Sequence, residues 1–481
     1  MRPYREFSPS DLIRDMTIKS RVLRRGVRSN IGSRDSGVQR KVFGLAWPVI
    51  GENFLQTMLG IVDTLLVARL GAEAIAGVGS ALQIMFFVIS ALSATSVGSS
   101  VLVAQAVGGD AFPRANKIAK QSIIWSILLS IPMVALSLPL TESIVGIFRM
   151  EPEVTQIGIE YLQVTMGTVV VLTLMMLMGG VLRGAGDSRS PMIVTAIANV
   201  VNIILTYGLI FGELGMPELG AVGSAWGTFI SRALGCVILL VILWRGRMGI
   251  TIRGAANWRP NWDIARGILG IGIPAALEQV LISAAFLALT IIVASLGTAA
   301  LAGHRIAFTA LSISFLPGIG FGIAATALVG QSIGAKNQQE GAAVARIATF
   351  WSVIWMSIIG IILFVFAEEV IGLFTQEADV VAAGATGLRT VALTQPFWAI
   401  LIVQSGSLRG TGNTRFPLIV NATGMWSAVI LATLLLDTLG GGLFAVWAAF
   451  LITAPLSSIL LIWRFRKAIN DETIDVAYEG G

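Results

Sequence analysis

Apolar runs of about twenty residues, separated by short polar segments, recur along nearly the whole chain. A helical run of this length matches the hydrocarbon core of a bilayer. None of the runs alternates apolar and polar residues with a period of two, which excludes a β-barrel. The pattern predicts an all-α membrane protein with twelve transmembrane helices. The predicted spans are approximately 43–67, 75–107, 121–140, 155–182, 191–211, 220–244, 267–294, 299–333, 347–367, 381–407, 416–436 and 442–463.

An internal repeat with an offset of 226 residues divides these spans into two bundles of six helices. The segment GAEAIAGVGSA at position 71 returns as GTAALAGHRIA at 297, and LRGAGDSRSP at 182 returns as LRGTGNTRFP at 408. Pro48 and Glu52 likewise fall on Pro274 and Glu278. Because each half holds an even number of spans, the two halves should be parallel repeats related by an axis along the membrane normal. Two such halves with a cavity between them are typical of transport by alternating access.

The distribution of basic residues predicts the orientation. Of the 33 Lys and Arg residues, 28 lie in the termini or in the connections on the same side. Three lie in connections on the other side, and Arg232 and Arg305 lie within spans. By the positive-inside rule we expect a multi-pass protein of the plasma membrane with both termini in the cytoplasm. The net charge of +6 is then a topology signal, and we exclude nucleic acid as a partner.

The domain organisation follows from the repeat and from the basic segments. The polar start of the chain lacks an apolar run long enough for a signal peptide, and we expect it to be a partly disordered basic arm. The predicted domains are the arm (1–41), an N-lobe with helices 1–6 (42–245), a cytoplasmic linker (246–266), a C-lobe with helices 7–12 (267–465) and a cytoplasmic tail (466–481).

The composition indicates a membrane protein, and the absence of catalytic motifs from the sequence predicts that it is not an enzyme. Hydrophobic residues make up 55% of the chain and charged residues only 12%. A single cysteine, Cys236, and a single histidine, His304, exclude a disulfide framework and a multi-histidine metal site. The glycine-rich RGAGDSR segment lacks the GK[ST] ending of a phosphate loop. We find no catalytic serine or cysteine arrangement, and we expect no cofactor.

Four carboxylates, Glu52, Asp63, Glu160 and Glu278, fall inside predicted spans. Eleven residues separate Glu52 from Asp63, so both face one side of the first helix, roughly 16 Å apart along its axis. Glu52 has a repeat partner in Glu278, whereas the position matching Asp63 is Leu289. Buried acids of this kind are either hydrogen-bonded packing residues or members of a proton or cation relay. Glu160, near the end of span 4, fits an interfacial position better than a functional one.

Span 5 carries a polar stripe. Asn199, Asn202 and Thr206 are spaced by three and four residues and therefore share one helix face. Thr228 adds a hydroxyl from span 6. These groups can hydrogen-bond a carboxyl group or coordinate a cation, and they can equally well join helices by hydrogen bonds.

The segments WPVIGENFLQTMLGIVDTLLVARLG, VLRGAGDSRSPM, GIPAALEQVL and SLRGTGNTRFP resemble the multidrug and toxic compound extrusion (MATE) family. The resemblance covers about residues 40–465 and is greatest to the prokaryotic branch that includes the DinF-like proteins. It implies a V-shaped pair of six-helix bundles that exports cationic or amphipathic compounds by antiport against H⁺ or Na⁺. It also implies that Asp63, in a VDT context, is the coupling carboxylate, that Pro48 bends its helix, and that Asn202 and Thr228 line the pocket. Relatives commonly carry an acid where this chain has Thr206.

The resemblance extends to the second half. Sodium-coupled relatives use a glutamate of the seventh helix, which corresponds to Glu278 displaced by about one turn. We therefore predict Asp63, Glu278 and Glu52 as cation-coupling residues, with Na⁺ able to bind near Asp63 or Glu278 and no other metal site. Pro48 and Pro274 are the predicted helix bends. The predicted substrate or ion pocket consists of Asn199, Asn202, Thr206, Thr228, Gln56 and Gln395.

These observations favour a secondary antiporter that exports amphipathic, cationic compounds in exchange for H⁺ or Na⁺. The expected partners are those small compounds, the coupling ion and membrane lipid, and we expect a monomer. A flippase for lipid-linked precursors is an alternative, but it calls for cationic residues in the cavity, and only Arg232 and Arg305 lie in spans. A channel or a scaffold without transport activity is a third interpretation, which the unpaired Asp63 disfavours.

Overall fold

A computed structural model of the protein describes the backbone of residues 9–440 and 442–470, with side chains from residue 36 onward except at position 439. The regular secondary structure of these residues consists of fifteen helices. The only β-type pairing within the described residues is an isolated antiparallel bridge between Arg247 and Ile250. In chain order the helices are α1 (Pro9–Ala68), α2 (Ala72–Gly108), α3 (Phe112–Gly146), α4 (Pro152–Gly167), α5 (Val169–Gly184), α6 (Arg189–Phe211), α7 (Ala221–Arg245), α8 (Trp262–Ala294), α9 (Thr298–Gly334), α10 (Gln338–Val365), α11 (Ala367–Gly372), α12 (Ala378–Ala392), α13 (Gln395–Gly410), α14 (Arg415–Leu439) and α15 (Gly442–Asn470).

The predicted twelve-helix membrane fold is confirmed. Nine of the described helices are individually long and apolar enough to span a bilayer. Two bent pairs, α4 with α5 and α12 with α13, add one span each, with bends of 50° and 52°. The twelfth is the second half of α1, in which Glu52 and Asp63 lower the apolar character of the helix. Span 4, expected to be continuous, is thus broken near Thr168.

The internal repeat is visible in the helix boundaries. Helix α9 begins and ends 226 residues after α2, and α12 begins the same distance after α4. The bend at Thr168 recurs at Thr394. The repeat therefore extends from sequence motifs to the positions at which helices start, bend and stop.

The two halves exchange the beginnings of their first helices. Val42 and Leu45 of α1 are buried in a cluster formed by α9, α10 and other helices of the second half. The matching residues of α8, Ile268 and Ile271, are buried in a cluster of the first half. We use "N-lobe" for α2–α7 with the rest of α1, and "C-lobe" for α9–α15 with the rest of α8. Each lobe is thus anchored to its partner by one apolar helix segment.

Three boundaries differ from those expected. The arm, expected to be partly disordered, continues α1 back to Pro9, since the stretch from there to Pro48 contains no further proline. Helix α8 begins at Trp262 and not at 267, because the Asn261 side chain accepts a hydrogen bond from the Ile264 N–H and caps the helix. The tail is helical to Asn470, and positions 1–8 and 471–481 of the arm and tail lie outside the described residues.

Small residues bring the lobes into close contact on the side where α2 ends and α8 begins. We call this the basic side, after its Lys and Arg content. The backbone of Gln331 leaves no room for a Cβ atom at Gly108 of α2, and the backbone of Gln105 leaves none at Gly334 of α9. Such small-residue contacts allow helix backbones to approach closely within a membrane.

Two glutamines join the lobes on the same side. Gln105 Nε2 donates a hydrogen bond to the carbonyl of Gly410 at 3.1 Å. Gln331 Nε2 donates one to the carbonyl of Gly184 at 2.8 Å. Donors and acceptors are each related by the 226-residue offset, so the two bonds form a reciprocal pair, which we call the glutamine latch.

Buried polar groups hold the connections on the basic side in place by hydrogen bonds and an ion pair. Lys120 Nζ donates to three carbonyls of the 246–261 connection, at 2.8–3.0 Å. Asp187 precedes α6, accepts hydrogen bonds from the backbone N–H of Ser190 and from its hydroxyl, and pairs with Arg247 at 2.8 Å. Burial alone would raise the pKa of the Asp187 carboxyl, but the hydrogen bonds from Ser190 and Arg247 outweigh it and hold the pKa below its usual value.

Candidate functional site

A cavity of about 620 Å³ lies inside the N-lobe. Its volume is within the range of sites for small molecules, about 300–1,000 Å³. Apolar walls include Met85, Met175 and Met176, whose flexible side chains suit varied apolar ligands. The polar residues that line it are Glu52, Asn53, Gln56, Asp63, Thr64, Tyr161, Thr165, Arg183, Thr195, Asn199, Ser224, Thr228, Ser231 and Arg232.

Asp63 faces this cavity from α1 and is held from behind by the buried Asn202 of α6. In the amide orientation that satisfies its neighbours, the Asn202 nitrogen donates to Asp63 Oδ1 at 3.1 Å and to Thr206 Oγ1 at 3.3 Å. The Asn202 oxygen then accepts from the Thr228 hydroxyl at 3.1 Å. Of the predicted stripe, Asn202 thus contacts the carboxylate, with Thr206 as a buried supporting residue.

Arg232 of α7 and Tyr161 of α4 complete the end of the cavity that holds Asp63. The charge of Arg232 interacts with Asp63, but no ion pair within 4.0 Å joins them in the described structure. The Tyr161 side chain is buried and hydrogen-bonded to Ser224. This end therefore presents one carboxylate and one guanidinium group to the same cavity.

The other end of the cavity contains an ion pair. Arg183 Nη1 lies 2.9 Å from Glu52 Oε2, and Thr195 Oγ1 lies 3.5 Å from Glu52 Oε1. Asn199 donates to the carbonyl of Leu55 at 2.8 Å and so joins α6 to α1. Glu52, unlike Asp63, is neutralised by a partner within its own lobe.

A smaller cavity of about 340 Å³ lies in the C-lobe around Glu278. Glu278 is ion-paired with Arg409 at 2.7 Å and accepts a hydrogen bond from Asn421 Nδ2 at 2.6 Å. Its other carboxylate oxygen is buried and has no hydrogen-bond partner among the described residues. The arrangement matches that of Glu52, since Arg409 and Asn421 are the repeat positions of Arg183 and Thr195.

The polar end of the N-lobe cavity has no such match. Asp63 and Arg232 correspond to Leu289 and Ser458, and the amide of Asn202 corresponds to Ala428. The C-lobe positions that replace Asp63, Asn202, Thr206, Tyr161, Thr228 and Arg232 are Leu289, Ala428, Ala432, Gly387, Ala454 and Ser458. Glutamate–arginine pairs thus belong to both lobes, and the Asp63 cluster belongs to one.

The predicted site residues are only partly brought together. Asp63, Glu52, Gln56, Asn199 and Thr228 line the N-lobe cavity. Asn202 and Thr206 are buried behind the wall of the N-lobe cavity, and Glu278 lies in the C-lobe cavity. Pro48 and Pro274 lie within α1 and α8, and the helix bends predicted there remain predictions.

Gln395 lines neither of these two cavities, and its role in a pocket stays a prediction. It is fully buried at the start of α13, where its Oε1 accepts a hydrogen bond from Ser314 at 2.6 Å. Arg305, which lies within a predicted span, is exposed on α9. Glu160 is exposed and accepts a hydrogen bond from Gln156, as expected of an interfacial residue.

Sequence reasoning missed Arg183 and Arg409 because they were counted with the connections. The repeat contains the signal that would have found them: a glutamate followed 131 residues later by an arginine occurs in both halves. Tyr161 and Arg232 have no such signal, since neither recurs in the second half.

Comparison with known proteins adds independent findings. The family model MatE matches residues 48–208 and again 274–434, two segments with the same 226-residue offset. The probable multidrug resistance protein NorM of Thermotoga maritima is 33% identical over 446 residues, covering 91% of this chain and 96% of that protein. The multidrug resistance protein NorM of Burkholderia vietnamiensis is 30% identical over 432 residues, covering 88% and 92%.

Solved structures share the fold. A multidrug resistance MATE family transporter in an outward-facing conformation superposes with a TM-score of 0.84 at 23% identity, covering 90% of this chain and 96% of that one. A MOP superfamily transporter from Pyrococcus furiosus gives a TM-score of 0.83 at 22% identity, covering 90% and 96%.

Proposed function

The chain belongs to the MATE family, and we propose that it is a multidrug efflux transporter that exports amphipathic compounds in exchange for H⁺ or Na⁺. The observation that carries this proposal is the Asp63 carboxylate, which faces the N-lobe cavity and is hydrogen-bonded by the buried Asn202. Among the described residues no cation lies within ion-pair distance of it, so it remains able to bind a proton, a sodium ion or a cationic group of a substrate.

Asp63 suits coupling better than the two glutamates. Glu52 and Glu278 are each paired with an arginine of their own lobe, at 2.9 and 2.7 Å. A paired carboxylate gives up its arginine before it can bind another cation, which is costly in a low-dielectric site. We assign to the two glutamates a structural role in each lobe, and to Asp63 the exchange of ions.

The exchange follows from competition for one carboxylate. A substrate that contacts Asp63 from the cavity is displaced when the carboxylate binds a proton or Na⁺ from the opposite side of the membrane. Return of the ion-loaded protein then completes an alternating-access cycle. Asn202 and Thr228 fix the position of the carboxylate, since each is itself held by hydrogen bonds.

One coupled ion is sufficient for useful export. A charge that moves down a potential of 100 mV provides about 2.3 kcal/mol. At about 1.4 kcal/mol per factor of ten, this sustains about a fortyfold gradient of a neutral compound at one-to-one exchange.

We further propose that the N-lobe and the C-lobe, predicted at 42–245 and 267–465 and here taken with their exchanged first-helix segments, move against each other. We also propose that the protein lies in the plasma membrane with both termini in the cytoplasm. The close contact of the lobes on the basic side and the excess of Lys and Arg there support this orientation.

Efflux from proteoliposomes with an H⁺ or a Na⁺ gradient imposed separately tests the proposal. We expect Asp63→Asn to abolish the response of ethidium efflux to the gradient that drives the wild type. Glu160→Gln is the matched control, because this carboxylate is exposed, lies in the same lobe and is bonded to Gln156. Undiminished gradient-driven efflux by Asp63→Asn would exclude the coupling role of this residue.

A further inference from the structure

Arg232 is an arginine without a bonding partner inside a membrane-spanning helix. It is half-buried on α7 and lines the N-lobe cavity. A guanidinium group carries five N–H donors and no acceptor. No hydrogen bond or ion pair of these donors is formed within the described part of the chain. Because a charged side chain inside a membrane is costly, such residues are usually paired or functional.

A structural role explains Arg232 poorly. The structural arginines of this protein, Arg183 and Arg409, lie 2.9 and 2.7 Å from their glutamates and are repeated between the lobes. Arg232 is neither bonded in this way nor repeated, since its counterpart is Ser458. Its neighbour Asp63 is equally unrepeated. Residues that occur only in the lobe with the larger cavity are best explained by what that cavity binds.

The charges that line the cavity cancel. Glu52 and Arg183 neutralise each other by direct contact, which leaves Asp63 and Arg232 at the other end. A simple cation therefore meets no excess of negative charge. A molecule with one cationic and one acidic group meets a complementary partner for each, because carboxylate recognition by a fixed guanidinium fork is strong and directional.

We propose that Arg232 binds the acidic group of the substrate while Asp63 binds its cationic group, so that the N-lobe cavity takes amphipathic zwitterions. This inference rests on the proposed export function and specifies its substrate class. The methionines of the cavity wall contact the apolar body of such a compound. The sequence suggested amphipathic, cationic compounds, and the acidic group is the feature that Arg232 adds.

The test compares three probes that differ in their acidic group: norfloxacin, its ethyl ester, and ethidium. Gradient-driven uptake into proteoliposomes and equilibrium dialysis in detergent are measured for the full chain and for Arg232→Gln, Arg232→Lys and Arg305→Gln. Arg305→Gln is the matched control, since it also removes an arginine from a span but at an exposed position of the other lobe.

We expect the wild type to bind norfloxacin at least about tenfold more tightly than the ester. This factor corresponds to the free energy gained from one hydrogen bond between charged groups. Arg232→Gln should bring the two affinities within about twofold and should strengthen ethidium binding, because it removes a positive charge from the cavity. Arg232→Lys should retain part of the preference, because it keeps the charge without the fork. Arg305→Gln should behave as the wild type.

Three results would overturn the inference: no preference for the acid in the wild type, an unchanged preference in Arg232→Gln, or an equal loss of all three probes in that variant. If the wild type transports none of the probes under either gradient, the export function fails. Dialysis then still decides whether Arg232 distinguishes the acid from the ester.

Discussion

Replacing Arg409 with methionine should destabilise the C-lobe strongly. The change keeps an unbranched side chain of similar length and removes the guanidinium group that lies 2.7 Å from Glu278. The Glu278 side chain is only 2% exposed and would keep only the hydrogen bond from Asn421. The prediction separates a structural glutamate from an ion-coupling one, because only the former depends on its arginine for folding.

The magnitude follows from burial and distance. At 2.7 Å the attraction between unit charges is about 6 kcal/mol for an effective dielectric constant of about 20. Desolvation of both groups offsets part of this, and removal of one partner of a buried pair costs about 3–5 kcal/mol. We expect the Arg409→Met cost to fall in that range. Arg183→Met should cost less, since Glu52 is 12% exposed and its ion pair measures 2.9 Å.

The free energy of unfolding, measured by titration with SDS in mixed micelles, checks these values. The double variant Glu278→Gln with Arg409→Met should recover at least half of the loss, because it leaves no unpaired charge. It should also retain ethidium efflux driven by the same gradient as in the wild type. An Arg409→Met protein within 1 kcal/mol of the wild type, or a double variant as unstable as the single one, would refute the reasoning.

Three further predictions concern the basic side. Replacing Gln105 and Gln331 with alanine removes both latch bonds, each worth about 0.5–1.5 kcal/mol. The distance between spin labels on α2 and α9 should then show a larger fraction of molecules with the basic side open. Each single variant should shift the free energy of this opening about half as far. Gly334→Ala should separate the same labels even more, because a Cβ atom there meets the backbone of Gln105 on α2. Asp187→Asn should lower the thermal stability at pH 7, and the difference from the wild type should shrink as the pH falls below 3.8. The folded pKa of Asp187 is held below its usual value of 3.8, so its contribution is complete above about pH 4 and is lost as the pH falls through the folded pKa. Arg247→Met alone should remove only part of the stabilisation that Asp187 provides. A stability difference between the wild type and Asp187→Asn that is the same at pH 3 as at pH 7 would contradict the assignment.

The spans and the repeat could be predicted from the sequence because both depend on composition along one helix at a time. A run of apolar residues determines a span whatever its neighbours are. The equal spacing of motifs likewise survives in the ends of α2 and α9. The convergence of Asn202, Thr206 and Thr228 was also accessible, since helical periodicity places the first two on one face.

Contacts between distant helices could not be predicted in this way. Arg183 stands at the end of α5, where composition alone counts it as a loop residue, yet its side chain reaches Glu52 on α1. Gln395 is predicted as a pocket residue because it is polar and within a span; in the structure it follows the bend before α13 and accepts a hydrogen bond from Ser314. Whether a polar residue in a span faces a cavity or contacts another helix depends on helix bends and on helix packing angles. The periodicity of the sequence does not predict either of these.

Comparison of the two lobes supplies part of the missing information. An interaction that holds a lobe together is needed twice, so it recurs at the offset, as the Glu52 and Glu278 pairs do. A group that binds a ligand is needed once, so it can differ between the lobes, as Asp63 and Arg232 do. The latch is the third case: it recurs because it joins the lobes about their shared axis, and it must break on both sides of that axis when the basic side opens. In the cycle that we propose, two nearly equivalent bodies move, while the ion and substrate are exchanged in only one of them.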